Sequence, residues 1–166
     1  MGVELRPMTR ELCHQLYKDW ENDAAIYMDM TKFRPFRYNA AEVDRYFDSR
    51  QEPTRRLFAI LYRDAPIGEL QLKQIDAGKK TCILSIHLQN DSVKGRGFGT
   101  EAERLAVGYA FDTLGMDTVF ADTVLKNTRS QHVLEKAGFR FCREEGLFRY
   151  YRIDRQPSAG PADSQQ

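Results

Sequence analysis

The chain has 166 residues, 42% of them hydrophobic and 11% aromatic, enough for one domain with a proper core and too apolar for general disorder. Its 25 basic and 24 acidic side chains leave a net charge of +1, which excludes a dominant polyanion-binding or membrane-surface character; no nucleic-acid and no membrane partner is expected. Cys13, Cys82 and Cys142 stand apart without CxxC spacing and are expected to be buried apolar thiols in a reducing compartment, so no metal site is expected.

The first residues lack an apolar signal core and the hydroxyl at position six of a myristoylation motif, and apolar runs such as 57–61 are too short for a bilayer. The expectation is a soluble cytoplasmic protein. Residues 3–8 read as a short strand. Thr9 can cap a helix running to Trp20, and a second short helix is expected over 22–30, carrying Ile26, Tyr27 and Met30. Residues 31–39, with Phe33, Pro35, Phe36 and Tyr38, read as a loop. Val43, Tyr46 and Phe47 share one face of a helix over 40–50, and Pro53 breaks the chain after it.

Residues 57–62 are apolar on both faces, as in a central strand. Ala65 and Pro66 read as a turn, followed by a strand over 67–75 with Leu70 and Leu72 opposite Glu69, Gln71 and Lys73. After a turn at 78–80, the strand 81–88 points Cys82, Leu84, Ile86 and Leu88 one way and Thr81, Ile83, Ser85 and His87 the other. Gly95-Arg96-Gly97-Phe98-Gly99 opens the strongest helix of the chain, in which Ala102, Leu105, Ala106, Tyr109 and Ala110 recur at helical spacing before Gly115 ends it. Residues 118–125 form a strand, Asn127 caps a helix reaching Ala137, and 139–143 with 147–153 make a closing pair of strands. Residues 156–166 have no large apolar side chain and are expected to be a disordered tail on a domain of residues 1–155. The order strand, glycine loop, helix, strand, helix, strand implies one parallel crossover beside an antiparallel meander. The fold class is α/β: a central mixed, mostly antiparallel sheet flanked by helices.

The glycine run carries the chemistry. Glycine removes side chains, so backbone N–H groups can approach a ligand closely. A helix start adds unpaired N–H donors and the positive end of a dipole, which together suit a phosphate or pyrophosphate. Lys94 and Arg96 add positive charge there. The run is neither GxxxxGK[ST] nor a GxGxxG opening a series of βα units, which points away from nucleoside triphosphates and dinucleotides and toward another diphosphate carrier.

Lys94-Gly95-Arg96-Gly97-Phe98-Gly99-Thr100-Glu101-Ala102 resembles the acetyl-CoA loop of the GNAT superfamily of N-acetyltransferases, usually written Gln/Arg-x-x-Gly-x-Gly/Ala. Asn127-Thr128-Arg129-Ser130 and Val133-Leu134-Glu135-Lys136-Ala137-Gly138-Phe139 resemble its next motif, and the most similar branch includes the ribosomal-protein alanine acetyltransferases. The resemblance implies acetyl-CoA as cosubstrate, with Gly95, Arg96, Gly97, Phe98, Gly99 and Thr100 holding the pyrophosphate and Lys94 beside them. It further implies Leu88 and Asn90 along the pantetheine arm, Asn127 on the cofactor, and Ser130 near the thioester sulfur. Lys94 replaces the usual Gln or Arg, and Leu134 stands where many members carry a Tyr that protonates the leaving thiolate. A thiol with a pKa of about 8.5 leaves readily, and Ser130 or a water could serve.

The other partner implied is an amine acceptor, small molecule or protein. An amine of pKa near 10.4 costs roughly 4.6 kcal/mol to deprotonate at pH 7, so a base or water relay helps. His87 is the first candidate base and Glu69 on the neighbouring strand the second, with water alone as the alternative. Tyr150 and Tyr151 read as strand packing. Residues 20–38 mix aromatics with acids, and in the family this region walls the acceptor site. The expected activity is acetyl transfer to a primary amine by direct attack in a ternary complex. The alternative is a non-catalytic acyl-CoA-binding regulatory module on the same fold, and a homodimer is left open.

Overall fold

Helices begin where a short polar side chain can satisfy the first free backbone N–H groups. Thr9 Oγ1 accepts from Leu12 N at 3.1 Å and starts α1 (Arg10–Lys18). Asn39 Oδ1 accepts from Glu42 N at 3.0 Å and starts α2 (Ala40–Ser49), and Asn127 Oδ1 accepts from Ser130 N at 3.1 Å and starts α4 (Thr128–Lys136). The exception is α3 (Phe98–Asp112): its N-cap is Gly97, in the left-handed region at φ 84°, with no side-chain cap. The computed structural model describes residues 2–157.

The strands are β1 (Glu4–Pro7), β2 (Arg56–Tyr62), β3 (Ala65–Asp76), β4 (Thr81–Leu88), β5 (Thr118–Val124), β6 (Arg140–Glu145) and β7 (Phe148–Asp154). They form one seven-stranded sheet in the order β1-β2-β3-β4-β5-β7-β6, antiparallel throughout except for the parallel pair β4–β5. This is the α/β architecture, a mixed sheet in a single domain flanked by four helices.

Strand alternation divides the core between the two faces. Phe58, Ile60, Leu70, Leu72, Cys82 and Leu84 pack with Phe98, Ala102, Ala106 and Ala110 of α3 and with Leu134 of α4. Leu57, Ala59 and Leu61 pack on the other face with Cys13, Leu16 and Tyr17 of α1 and Val43 of α2. Fully burying a leucine such as Leu70 or Leu72 contributes about 1.5–3 kcal/mol over leaving it exposed.

Several expectations are corrected. The helix over 22–30 is two 3₁₀ turns, Ala24–Ile26 and Met30–Lys32, because Asp23 and Asp29 each cap a new start. The turn lies at Arg63 and Asp64, both at positive φ, and Ala65 already belongs to β3; Pro66 pairs with Leu61 just past a register shift. An additional 3₁₀ turn, Asp91–Val93, follows β4. On α3, Leu105 is exposed and Glu103 is wholly buried, so the apolar stripe is rotated from the one its spacing suggests. Cys13 and Cys82 are buried and burial pushes their thiols up to about 12 and 11, whereas Cys142 is exposed on β6. Arg155 closes the described fold, its backbone N–H donating to Asp117 O at 2.7 Å and its guanidinium to Met116 O. From Ser158 onward, the tail expected over 156–166 lies outside the described residues. No helix among the described residues is long and apolar enough to cross a membrane.

Candidate active site

The parallel pairing of β4 and β5 covers only Thr81–Leu84 against Thr118–Ala121. Beyond it, β4 keeps its partners on β3, through Leu88 opposite Gly68, and β5 keeps its partners on β7, through Val124 opposite Phe148. The sheet is therefore split between residues 85–88 and 122–124. A cleft of about 990 Å³ occupies the split, lined by β4 residues Ser85 to Leu88, β5 residues Asp122 to Val124, and side chains from both helical layers.

Lys94 and Gly99 line the cleft at α3, and the loop between them, which does not itself line it, suits a diphosphate. Gly95 and Gly97 both take positive φ, 71° and 84°, and a Cβ added at either would meet nothing within 4 Å. The glycines are needed there for backbone conformation. With no side-chain cap on Gly97, the first N–H groups of α3 are available to an anion. Glycine at position 99 has no positive φ, and a Cβ there would touch Val133 Cγ1 of α4 at 3.4 Å, a contact at the edge of ordinary packing. Phe98 is buried, stacked 4.6 Å from the Tyr62 ring, and the exposed Arg96 holds its guanidinium over both rings, 4.7 Å from Phe98 and 5.6 Å from Tyr62. Thr100 follows within the first turn, half-buried.

Lys94 is already engaged. Its Nζ pairs with Asp23 at 2.8 Å and Asp91 at 3.1 Å, with only 9% of its side chain exposed, so it ties the 3₁₀ segment of residues 24–26 to the glycine loop. Asn90 likewise spends its side chain on the fold: Oδ1 accepts from Ser92 N, and Nδ2 donates to Asp19 O. Leu88 packs against the α3 side of the core. Asn127 caps α4 by accepting from the backbone N–H of Ser130, and both residues line the cleft, Ser130 half-buried.

On the opposite face, Glu69 and His87 are cross-strand partners. Glu69 is 3% exposed. Its Oε1 accepts from Tyr46 Oη at 2.7 Å, and its Oε2 is buried with no partner among the described residues. Tyr46 Oη in turn accepts from Gln71 Nε2 at 3.2 Å, and Gln71 Oε1 accepts from Arg55. Burial, reinforced by Glu69, pushes the Tyr46 phenol well up, so it stays a donor. His87 is half-buried in the cleft wall, and burial lowers its pKa, an effect that Glu69 opposes. It is therefore uncharged at neutral pH and able to accept a proton.

Two cleft residues escape the sequence reading. Tyr46 was legible only as part of an apolar helix face. Glu103 on α3 lines the cleft with both oxygens buried and without partners among the described residues. Its sequence signal is an acid between Ala102 and Ala106, inside a stripe of buried small residues. Among the described residues, no group of three or more His, Cys, Asp or Glu could hold a metal ion.

A seven-stranded sheet split at its one parallel joint, with a helix starting at Gly97 near one mouth of the split, defines a mixed α/β domain with a cleft through its sheet. Residues 3–140 match the Acetyltransferase (GNAT) domain family, and the chain belongs to that family. It is 37% identical over 86 residues to the probable N-acetyltransferase YjcK of Bacillus subtilis (strain 168). That match covers 52% of this chain and 46% of YjcK, under half the relative's length. The fold is similar to a spermidine N-acetyltransferase SpeG chimera from Vibrio cholerae and hSSAT, at a TM-score of 0.75 and 16% identity over 93% of this chain and 96% of that one. It is also similar to the Vibrio cholerae spermidine N-acetyltransferase in complex with CoA and spermine, at 0.67 and 15% over 92% and 95%. The Campylobacter jejuni N-acetyltransferase PseH superposes at 0.68 with 17% identity over 93% and 99%.

Proposed function

We propose that the chain transfers an acetyl group from acetyl-CoA to a primary amine by direct attack in a ternary complex. The observation that carries this reading is the cleft itself, which runs through the sheet from an uncapped helix N-terminus to the cross-strand pair Glu69 and His87. An acyl thioester threaded through the split would meet an amine arriving from the α1–α2 side. The N–H groups at 98–100, presented by Gly95 and Gly97, would hold the pyrophosphate, with Arg96 beside them. Asn127 and Ser130 would border the arm, as would the open edge of β4 at Leu88.

His87, uncharged at pH 7, would take the amine proton directly or through water. Glu69, backed by Tyr46, would offer its free oxygen to the ammonium before that proton leaves. Glu21 and Glu42 line the cleft together with Arg50, Arg55 and Lys73, so the support for a cationic acceptor is the oxygen of buried Glu69 left unpaired among the described residues, and not the net lining charge. Polyamines therefore belong in the acceptor panel, as the named spermidine acetyltransferases suggest, and so do protein N-termini, given the ribosomal-protein alanine acetyltransferase resemblance. Leu134, buried at 2% exposure where a hydroxyl would assist the leaving thiolate, is the one observation favouring a non-catalytic acyl-CoA-binding module. Thiol release from acetyl-CoA across a panel of amines decides: turnover with any amine supports the enzyme, and binding without turnover supports the module.

A further inference from the structure

The buried stripe of α3 runs through Gly99, Ala102, Ala106, Val107 and Ala110, and Glu103 stands among them with 0% exposure. Neither carboxyl oxygen has a hydrogen-bond partner among the described residues. The side chain lines the helix side of the split with Leu84 of β4, Ala121 and Thr123 of β5, and Leu134 of α4. Charged or titratable groups that share the cleft from packed elements are Glu69 and Lys73 on β3, His87 on β4, Asp122 on β5 and Arg129 on α4. Glu4 and Arg6 on β1 pair with each other. None of these bonds to Glu103, and burial alone pushes its carboxyl up to about 8. Burial favours the uncharged acid, which has one O–H donor and no acceptor for it among the described residues.

A hydrocarbon side chain in this position would avoid the penalty of a buried unbonded polar group. The wall around Glu103 is apolar at Leu84, Ala121 and Leu134, and the Thr123 hydroxyl that shares it makes no hydrogen bond to the carboxyl. A donor buried in the wall of a ligand cleft is satisfied when a ligand brings an acceptor up to it.

We propose that Glu103 is a donor-substrate binding residue, whose carboxylic acid O–H donates a hydrogen bond to a carbonyl oxygen of the acyl donor, in its arm or its thioester. The inference rests on the acyl-CoA reading of the cleft. Ionisation of Glu103 replaces the donor with a buried negative charge against that carbonyl, so the cleft takes the acyl donor only in the acid form.

The test is calorimetric titration of acetyl-CoA into the wild type, Glu103→Gln and Glu103→Leu at pH 7 and pH 9, with thermal melts confirming that each is folded. The donor's phosphates are already ionised at pH 7. In the wild type, affinity falls about tenfold from pH 7 to pH 9, as expected for a site that must be protonated with a pKa near 8. Glu103→Gln, a permanent neutral donor, lacks that fall. Glu103→Leu binds about two- to tenfold more weakly than wild type at pH 7, the worth of one neutral hydrogen bond, and also lacks the fall. Parallel pH losses in wild type and Glu103→Gln, or undiminished binding by Glu103→Leu, would overturn the assignment. Failure of all three folded proteins to bind acetyl-CoA at pH 7 would overturn the acyl-CoA reading of the cleft, and the inference with it.

Discussion

Glu69 on β3 and His87 on β4 face each other across the antiparallel ladder, and a 2.7 Å hydrogen bond from Tyr46 Oη holds the carboxylate in place. The histidine has its pKa lowered by burial, and the carboxylate opposes that shift. If His87 accepts the amine proton, the rising limb of kcat/KM attributable to it lies below its ordinary value of 6.5. From pH 7 upward it contributes no further rise. His87→Ala is expected to lower kcat/KM by roughly 10² on one amine, with acetyl-CoA affinity unchanged. The comparison uses steady-state pH profiles of wild type and variant, since the substrate amine also ionises. Near-normal turnover in His87→Ala removes it from the mechanism, and a loss confined to Glu69→Gln moves the role to the carboxylate.

Gly97→Val tests the cradle. The residue sits at φ 84° with open space around it, so the protein itself has room for a side chain. The cost is left-handed backbone strain, about 1–2 kcal/mol, and a side chain where the pyrophosphate would lie. The variant should fold, melt slightly lower, and bind acetyl-CoA at least tenfold more weakly by calorimetry. Unchanged affinity would remove the loop from the cofactor site.

Gly68→Ala tests the join between β3 and β4 beside the split. An added Cβ would lie 2.7 Å from the His87 carbonyl oxygen and 2.9 Å from Leu88 Cδ2. The first is backbone and cannot swing aside, so the strands must separate at the segment carrying His87. Urea denaturation should show a loss of about 1–3 kcal/mol, the usual cost of overpacking. Stability within experimental error of wild type would mean that the strands move apart freely.

Glu103 should also leave a signature in the pH dependence of stability. Its folded pKa is raised from 4.5 to about 8, so between those values the folded state holds a proton that the unfolded state releases. Its stabilising contribution is fully present below pH 4.5 and is lost as pH rises toward 8, on the order of 4–5 kcal/mol across the window. Glu103→Gln should flatten that decline in denaturant titrations from pH 5 to pH 8. An unchanged slope would show that the acid is not buried as described.

Much of this was legible in one dimension because its causes are local. Strand alternation assigned Leu84 and His87 to opposite faces; Thr9 and Asn127 each satisfy an N–H three residues ahead; and the glycines at 95 and 97 supply conformations that other residues reach only with strain. The resemblance to the acetyltransferase family is carried by the runs 94–102 and 127–139. The tertiary structure alone decided that β4 and β5 part after Leu84, because that depends on which neighbour each strand follows. It decided that Lys94 pairs with Asp23, 71 residues earlier, and that Tyr46 reaches Glu69 from another layer. It also decided that Glu103, an ordinary surface residue by type, lies buried in the cleft wall with no partner for its carboxyl among the described residues. Burial is a sum over distant parts of the chain, and no local spacing contains that sum.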